Sequence, residues 1–102
     1  MIDALMDVRG VRYAALVTAA GQPMMVVGDE PPELDVALSA RAMIGSLKTA
    51  MAATEWNDLL LDLGGGPLLI TPVGDEILMT AFDDVASLGR VRFAVRRALG
   101  RV

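Results

Sequence analysis

The sequence predicts an α+β fold: a five-stranded antiparallel sheet sandwiched by helices, in the order α-β-β-α-β-β-β-α. Three observations predict it. Short runs rich in β-branched and apolar residues, punctuated by glycine turns, fall into two groups, within 11–27 and 55–82. A long segment of helical periodicity separates the groups, and shorter amphipathic segments stand at the two ends.

Taken in order, Met1 to Val8 reads as a short helix, with Ile2, Leu5 and Met6 on one face and Asp3 and Asp7 on the other. Gly10 is placed to end it. Val11 to Thr18 is a strand, Gly21 a turn, and Pro23 to Val27 the returning strand of a hairpin. Pro23 belongs at the start or edge of that strand because it has no N–H to donate. Pro31-Pro32 and the acids Asp29, Glu30 and Glu33 mark the start of a long helix from about Glu33 to Ala53. Its expected core stripe is Val36, Ala40, Met43, Ile44, Leu47 and Met51. Glu55 to Leu63 reads as a strand because Leu59, Leu61 and Leu63 alternate along it. Gly64 to Gly66 turns the chain into a strand over Leu68–Val73, Gly74-Asp75 turns it again, and Glu76–Phe82 follows. Asp83 or Asp84 can cap the last helix, Val85 to about Arg101, whose stripe is Leu88, Val91, Val95, Ala98, Leu99 and Val102. The first strand is apolar at alternate and intervening positions alike, so both sheet faces should be covered.

With 102 residues the chain is expected to form one domain, 1–102. Its apolar share is 54%, above the roughly 45–50% of ordinary globular chains. That surplus exceeds what one small core hides and points to a partner chain. There is no Cys and no His, which removes disulfides, thiol nucleophiles, imidazole ligands and Ser-His-Asp triads. No cofactor or metal is expected, and the chain is expected not to be an enzyme. The longest uncharged run, Tyr13 to Gly28, falls short of the about 20 residues of a membrane span and is broken by Gly21, Gln22 and Pro23. The start of the chain lacks the basic region of a secretory signal, so a soluble cytoplasmic protein is expected. Residues 1–85 carry four basic and thirteen acidic groups, whereas 86–102 carry five arginines and no acid.

Several features invite a functional reading. Opposite its core stripe the long helix presents Asp35, Ser39, Ala42, Ser46 and Thr49, a smooth face where solvated helices usually carry Lys and Glu. Small residues allow close helix–helix approach, so Ser39, Ala42, Ser46 and Thr49 are candidate dimer contacts, with Leu59 and Leu61 on a plausible edge strand. Arg41 and Lys48, seven apart and the only cations of that helix, would flank such a surface and are candidate partner contacts. Gly64–Gly66 is no phosphate loop, since Pro67 and a strand follow it instead of Lys-Ser/Thr and a helix. Asp83-Asp84 reads as helix cap, not metal site. Arg90, Arg97 and Arg101 fall on one flank of the last helix and Arg92 and Arg96 on the other, which argues against a nucleic-acid stripe. Phe93 faces away from the core stripe, toward the N-terminal helix or an external contact.

Three strings resemble roadblock domains of the dynein light chain family. They are Val8-Arg9-Gly10-Val11-Arg12-Tyr13-Ala14-Ala15-Leu16-Val17-Thr18 with Gly21 behind it, Pro72-Val73-Gly74-Asp75, and Asp84-Val85-Ala86-Ser87-Leu88-Gly89-Arg90-Val91-Arg92. The resemblance covers nearly the whole chain, though the first helix is shorter than is usual in the family. It implies a dimer in which third strands pair across subunits and long helices pack together, built as a non-enzymatic platform. Bacterial members similar to this chain bind and regulate small Ras-like GTPases of polarity and gliding systems. The expected partners are therefore a second copy and a small Ras-like GTPase, with neither nucleic acid nor membrane insertion. The alternative is a dimeric adaptor without effect on nucleotide hydrolysis.

Overall fold

In a computed structural model that describes residues 1–102, five strands form one antiparallel sheet. They are β1 (Val11–Val17), β2 (Pro23–Gly28), β3 (Leu59–Leu63), β4 (Gly66–Val73) and β5 (Glu76–Phe82), in the spatial order β2-β1-β5-β4-β3. Helix α1 (Leu34–Ala50) covers one face; a 3-10 helix (Asp3–Asp7) and α2 (Leu88–Ala98) cover the other. The predicted order and two-sided cover therefore hold.

Strand alternation divides the core in two. Tyr13, Ala15 and Val17 of β1, with Leu68, Ile70, Ile77, Met79 and Ala81, pack under Ala37 and Ala40 of α1. Ala14, Leu16, Leu69, Leu78 and Phe82 pack under Val91 and Val95 of α2 and under Ile2 and Leu5. Burial on both faces explains why β1 lacks clean alternation. β2 and β3 are the free edges. Gly28 lies so close to β1 that a Cβ would sit 2.5 Å from the Arg12 carbonyl oxygen, which leaves only glycine there.

Five details differ from the sequence reading. The first helix is a 3-10 helix of five residues, and the third strand begins at Leu59 rather than Glu55. Trp56, in the segment before it, packs on the α1-side core, and Asp58 bonds α2. α1 ends at Ala50, with Ala52 in the left-handed region at φ +52°. There Ala53 N–H donates to the Lys48 carbonyl at 2.8 Å and Ala52 N–H to Thr49 at 3.3 Å, a Schellman closure with alanine where glycine is usual. The missing glycine hid the stop.

The core stripe of α1 is also rotated. Ala37, Ala40 and Ile44 are buried, whereas Met43 and Leu47 are more than 40% exposed and Met51 is 74% exposed. A stripe read from hydrophobicity averages the sheet contact with a second apolar flank, and Ala37 is too small to weigh in that average. The C-terminal segment divides into a 3-10 turn (Val85–Ser87) and α2. Asp84 Oδ1 accepts from Ala86 N–H at 2.9 Å and caps the turn.

Candidate interaction surface

α1 turns Ala37, Ala40 and Ile44 to the sheet. Its far side carries Ser39, Ala42, Ser46 and Thr49, all exposed, and Thr49 turns its hydroxyl back onto the Gly45 carbonyl at 3.1 Å. On one flank of that smooth face lie Val36, Met43 and Leu47, at helical spacing. Val36 borders a small cavity of about 90 Å³ together with Leu61 and Leu63, which places this flank on the β3 side. Leu59 and Leu61 are half-buried against the α1-side core, and Leu63 is 74% exposed. The six predicted dimer residues therefore border one continuous strip, with the apolar flank of α1 between the smooth face and the β3 edge. Met43 and Leu47, expected in the core stripe, are surface residues, and nothing in their chemistry separates the two placements.

The two candidate cations lie elsewhere on α1. Arg41 and Lys48 follow buried Ala37 and Ile44 by one turn, so both stems are half-buried beside the sheet instead of standing clear of the core stripe. Neither makes an ion pair. Lys48 opens on a groove shared with Glu55, Asp58 and Arg92.

Ion pairs fix the frame around β3. Arg92 of α2 donates from Nε and Nη2 to the two oxygens of Asp58 at 2.7 and 2.9 Å, a bidentate pair that holds the segment leading into β3. The Asp58 carboxylate raises the Arg92 pKa further. Arg12 of β1 donates to Glu30 at 2.9 Å and to the Gly65 carbonyl at 3.1 Å, and lies 3.5 Å from Asp83. It thereby ties the β3–β4 turn to the start of the sheet. Asp83 and Asp84 are thus committed to an arginine and a cap. Arg101 donates to the Pro72 carbonyl at 2.8 Å; the left-handed Gly100 turns the chain and moves Arg101 to the Arg92 side, not the Arg90 and Arg97 side.

One buried titratable group belongs to the α1 face. The Tyr13 hydroxyl accepts from Glu33 N–H at 3.3 Å, at the start of α1, and burial raises its pKa above 10.0.

A five-stranded antiparallel sheet, with one long helix on one face and terminal helices on the other, defines a small α+β platform with an open edge beside an apolar helix flank. Residues 1–83 match the Roadblock/LC7 domain, and the chain belongs to that family. Its fold is similar to that of the gliding protein MglB of Thermus thermophilus, with a TM-score of 0.80 and 22% identity over 98% of this chain and 81% of that one. Myxococcus xanthus MglB is similar as well, with a TM-score of 0.79 and 21% identity over 97% and 85%. A Roadblock/LC7 domain from Streptomyces avermitilis matches with a TM-score of 0.65 and 20% identity over 98% and 94%. No curated protein matches the sequence. No helix is long and apolar enough to cross a membrane.

Proposed function

We propose that this chain is a non-enzymatic regulator of a small Ras-like GTPase, acting as a homodimer through α1 and β3. The observation that carries the reading is the exposed Met43, Leu47 and Leu63, with half-buried Leu59 and Leu61 between them, beside the small-residue face of α1. An apolar edge strand next to an apolar helix flank is a hazard for a monomer and an interface for a dimer. Family membership and the likeness to the two MglB structures support the choice of partner.

Pairing two copies of α1 creates a two-fold platform with Arg41 and Lys48 present twice. Switch segments of such a GTPase change order with the γ-phosphate, so a platform that prefers one state shifts its population without doing chemistry. Apolar contacts supply most of the affinity, and Arg41 and Lys48, unpaired and half-exposed, tune encounter and orientation. The test is titration of the protein against a small Ras-like GTPase from the same organism, loaded with GDP or a GTP analogue. A preference for one nucleotide state of about tenfold or more, or altered hydrolysis, is expected. Equal affinity with unchanged hydrolysis leaves the adaptor reading. Changing Arg41 and Lys48 together to Glu should weaken binding by about tenfold, mostly through a slower, more salt-sensitive association.

A further inference from the structure

α2 presents a surface that its own packing does not use. Val91 and Val95 face the core, so Phe93 between them points outward and is 52% exposed. Beside it, α2 and the N-terminal 3-10 helix leave a groove of about 1000 Å³ with Val8, Ala94 and Ala98 among its lining residues. Arg9, Arg90 and Arg97 border the same groove. None of the three makes an ion pair, and Arg90 has only a long contact to the Ser87 hydroxyl at 3.5 Å. Arg92 and Arg101, by contrast, are both engaged within the chain. Three uncompensated guanidiniums around an apolar groove, in a protein of net charge −4, form a local excess that calls for negative charge from outside.

We propose that this groove docks an acidic amphipathic helix of a partner protein. The helix lays its apolar stripe against Phe93, Ala94 and Val8 and sets its carboxylates on Arg90 and Arg97. Shape and charge select this occupant. A flat anionic bilayer or a run of phosphates meets Asp7, which borders the groove. A helix in the groove places its apolar stripe between the two sets of charges and can turn an uncharged side toward Asp7. Exposed aromatic and arginine side chains are also the residue types that anchor interfaces. The site lies on the sheet face opposite α1, so it rests neither on dimerisation through α1 and β3 nor on GTPase binding.

The test uses the full chain and a fluorescein-labelled peptide with leucines at i, i+3, i+4 and i+7, glutamates along one flank of that stripe and glutamines elsewhere. Its controls are a scrambled peptide of equal composition and vesicles of phosphatidylserine and phosphatidylcholine. The patterned peptide should bind at least about tenfold tighter than the scrambled one. Phe93→Ala should cost about tenfold, as loss of an anchor does, and Arg90→Glu with Arg97→Glu should cost more, with unchanged circular dichroism. Raising salt from about 50 to about 500 mM should weaken the complex. Ala42→Arg, on the other sheet face, should leave peptide affinity unchanged. Equal binding of both peptides, indifference to Phe93→Ala, or Phe93-dependent vesicle binding without peptide binding would each overturn the proposal.

Discussion

The two helices solve the same packing problem and are finished differently. α1 buries Ala37, Ala40 and Ile44, and α2 buries Val91 and Val95, each against one face of the same sheet. α2 is then secured within the chain: Asp84 caps the turn before it, Arg92 grips Asp58, and a left-handed Gly100 closes it. α1 has no side-chain cap and no ion pair, closes on a left-handed Ala52, and leaves Met43, Leu47 and Met51 in water. α1 lacks the carboxylate cap and the bidentate ion pair that secure α2. In the proposed dimer the second copy covers Met43 and Leu47.

The sharpest way to break this contrast is a charge on each helix. Ala42 is exposed in the single chain, so Ala42→Arg should leave the fold intact but bury an unpaired guanidinium in the dimer. Such a charge costs about 3 kcal/mol or more, and dimer affinity should fall at least about 100-fold. Sedimentation should show the mass halved at micromolar concentration. On α2 the same arginine at Gly89 meets open space and should leave the mass unchanged. A wild-type monomer, or a dimer indifferent to Ala42→Arg, would remove α1 from the interface.

The contrast also explains what was legible. The order of elements along the chain and the two-sided cover followed from glycine punctuation and from the double-faced apolar pattern of β1, signals that are local and periodic; the spatial strand order was not among them. The rotated stripe of α1 was not legible, because Met43 and Leu47 look the same whether they face a sheet or a partner. Ser39, Ala42, Ser46 and Thr49 face away from the sheet as expected, because they lie opposite both the expected stripe and the observed one. The Arg12 network was out of reach, since Glu30, Gly65 and Asp83 stand far from Arg12 in sequence. Arg92 was placed on the right flank of its helix, but nothing in the sequence pairs it with Asp58.

That pair gives the next effect. Asp58 is mostly buried, with its side chain 19% exposed, and Arg92 is 43% exposed. Asp58→Ala removes two charge-assisted hydrogen bonds and leaves the guanidinium able to reach water. A loss of about 1–2 kcal/mol is therefore expected, rather than the penalty for stranding a buried charge. Urea unfolding should show it, with a smaller loss for Arg92→Lys, which keeps the charge but not the planar fork. Because Asp58 sits just before β3, the same variant should also loosen the proposed dimer modestly.

The helix ends allow a reciprocal experiment. Ala52 at φ +52° and Gly100 at φ +70° occupy the same position in two Schellman closures. Alanine is strained in that region and glycine is not, so Ala52→Gly should stabilise by about 1 kcal/mol and Gly100→Ala should destabilise by a similar amount. For a chain of this size each shift is roughly 4–8 °C in Tm. Opposite signs from the two exchanges would show that both closures persist in solution; equal signs would mean that one end frays.

The smallest effect separates the two helix starts by pH. Asp84 caps the turn before α2 with a carboxylate, whereas the start of α1 relies on the Tyr13 hydroxyl to accept from Glu33 N–H. Burial raises the Tyr13 pKa above 10.0, so the folded protein holds this proton more tightly than the unfolded chain does. Unfolding therefore releases the proton once pH exceeds the unfolded value. The contribution of Tyr13 to stability is complete below about pH 10 and declines as pH rises through the folded value. Tyr13→Phe lacks both the Glu33 bond and this titration. It should be less stable than wild type at pH 7, by about 1 kcal/mol for one hydrogen bond, and the gap should narrow toward pH 11. Urea midpoints of both proteins at the two pH values measure it. Tyr13 is the only tyrosine in the chain, so absorbance of the phenolate follows the same proton directly. A gap that widens with pH would mean that the bond from Glu33 to the phenolate outweighs burial, reversing the order of the two causes.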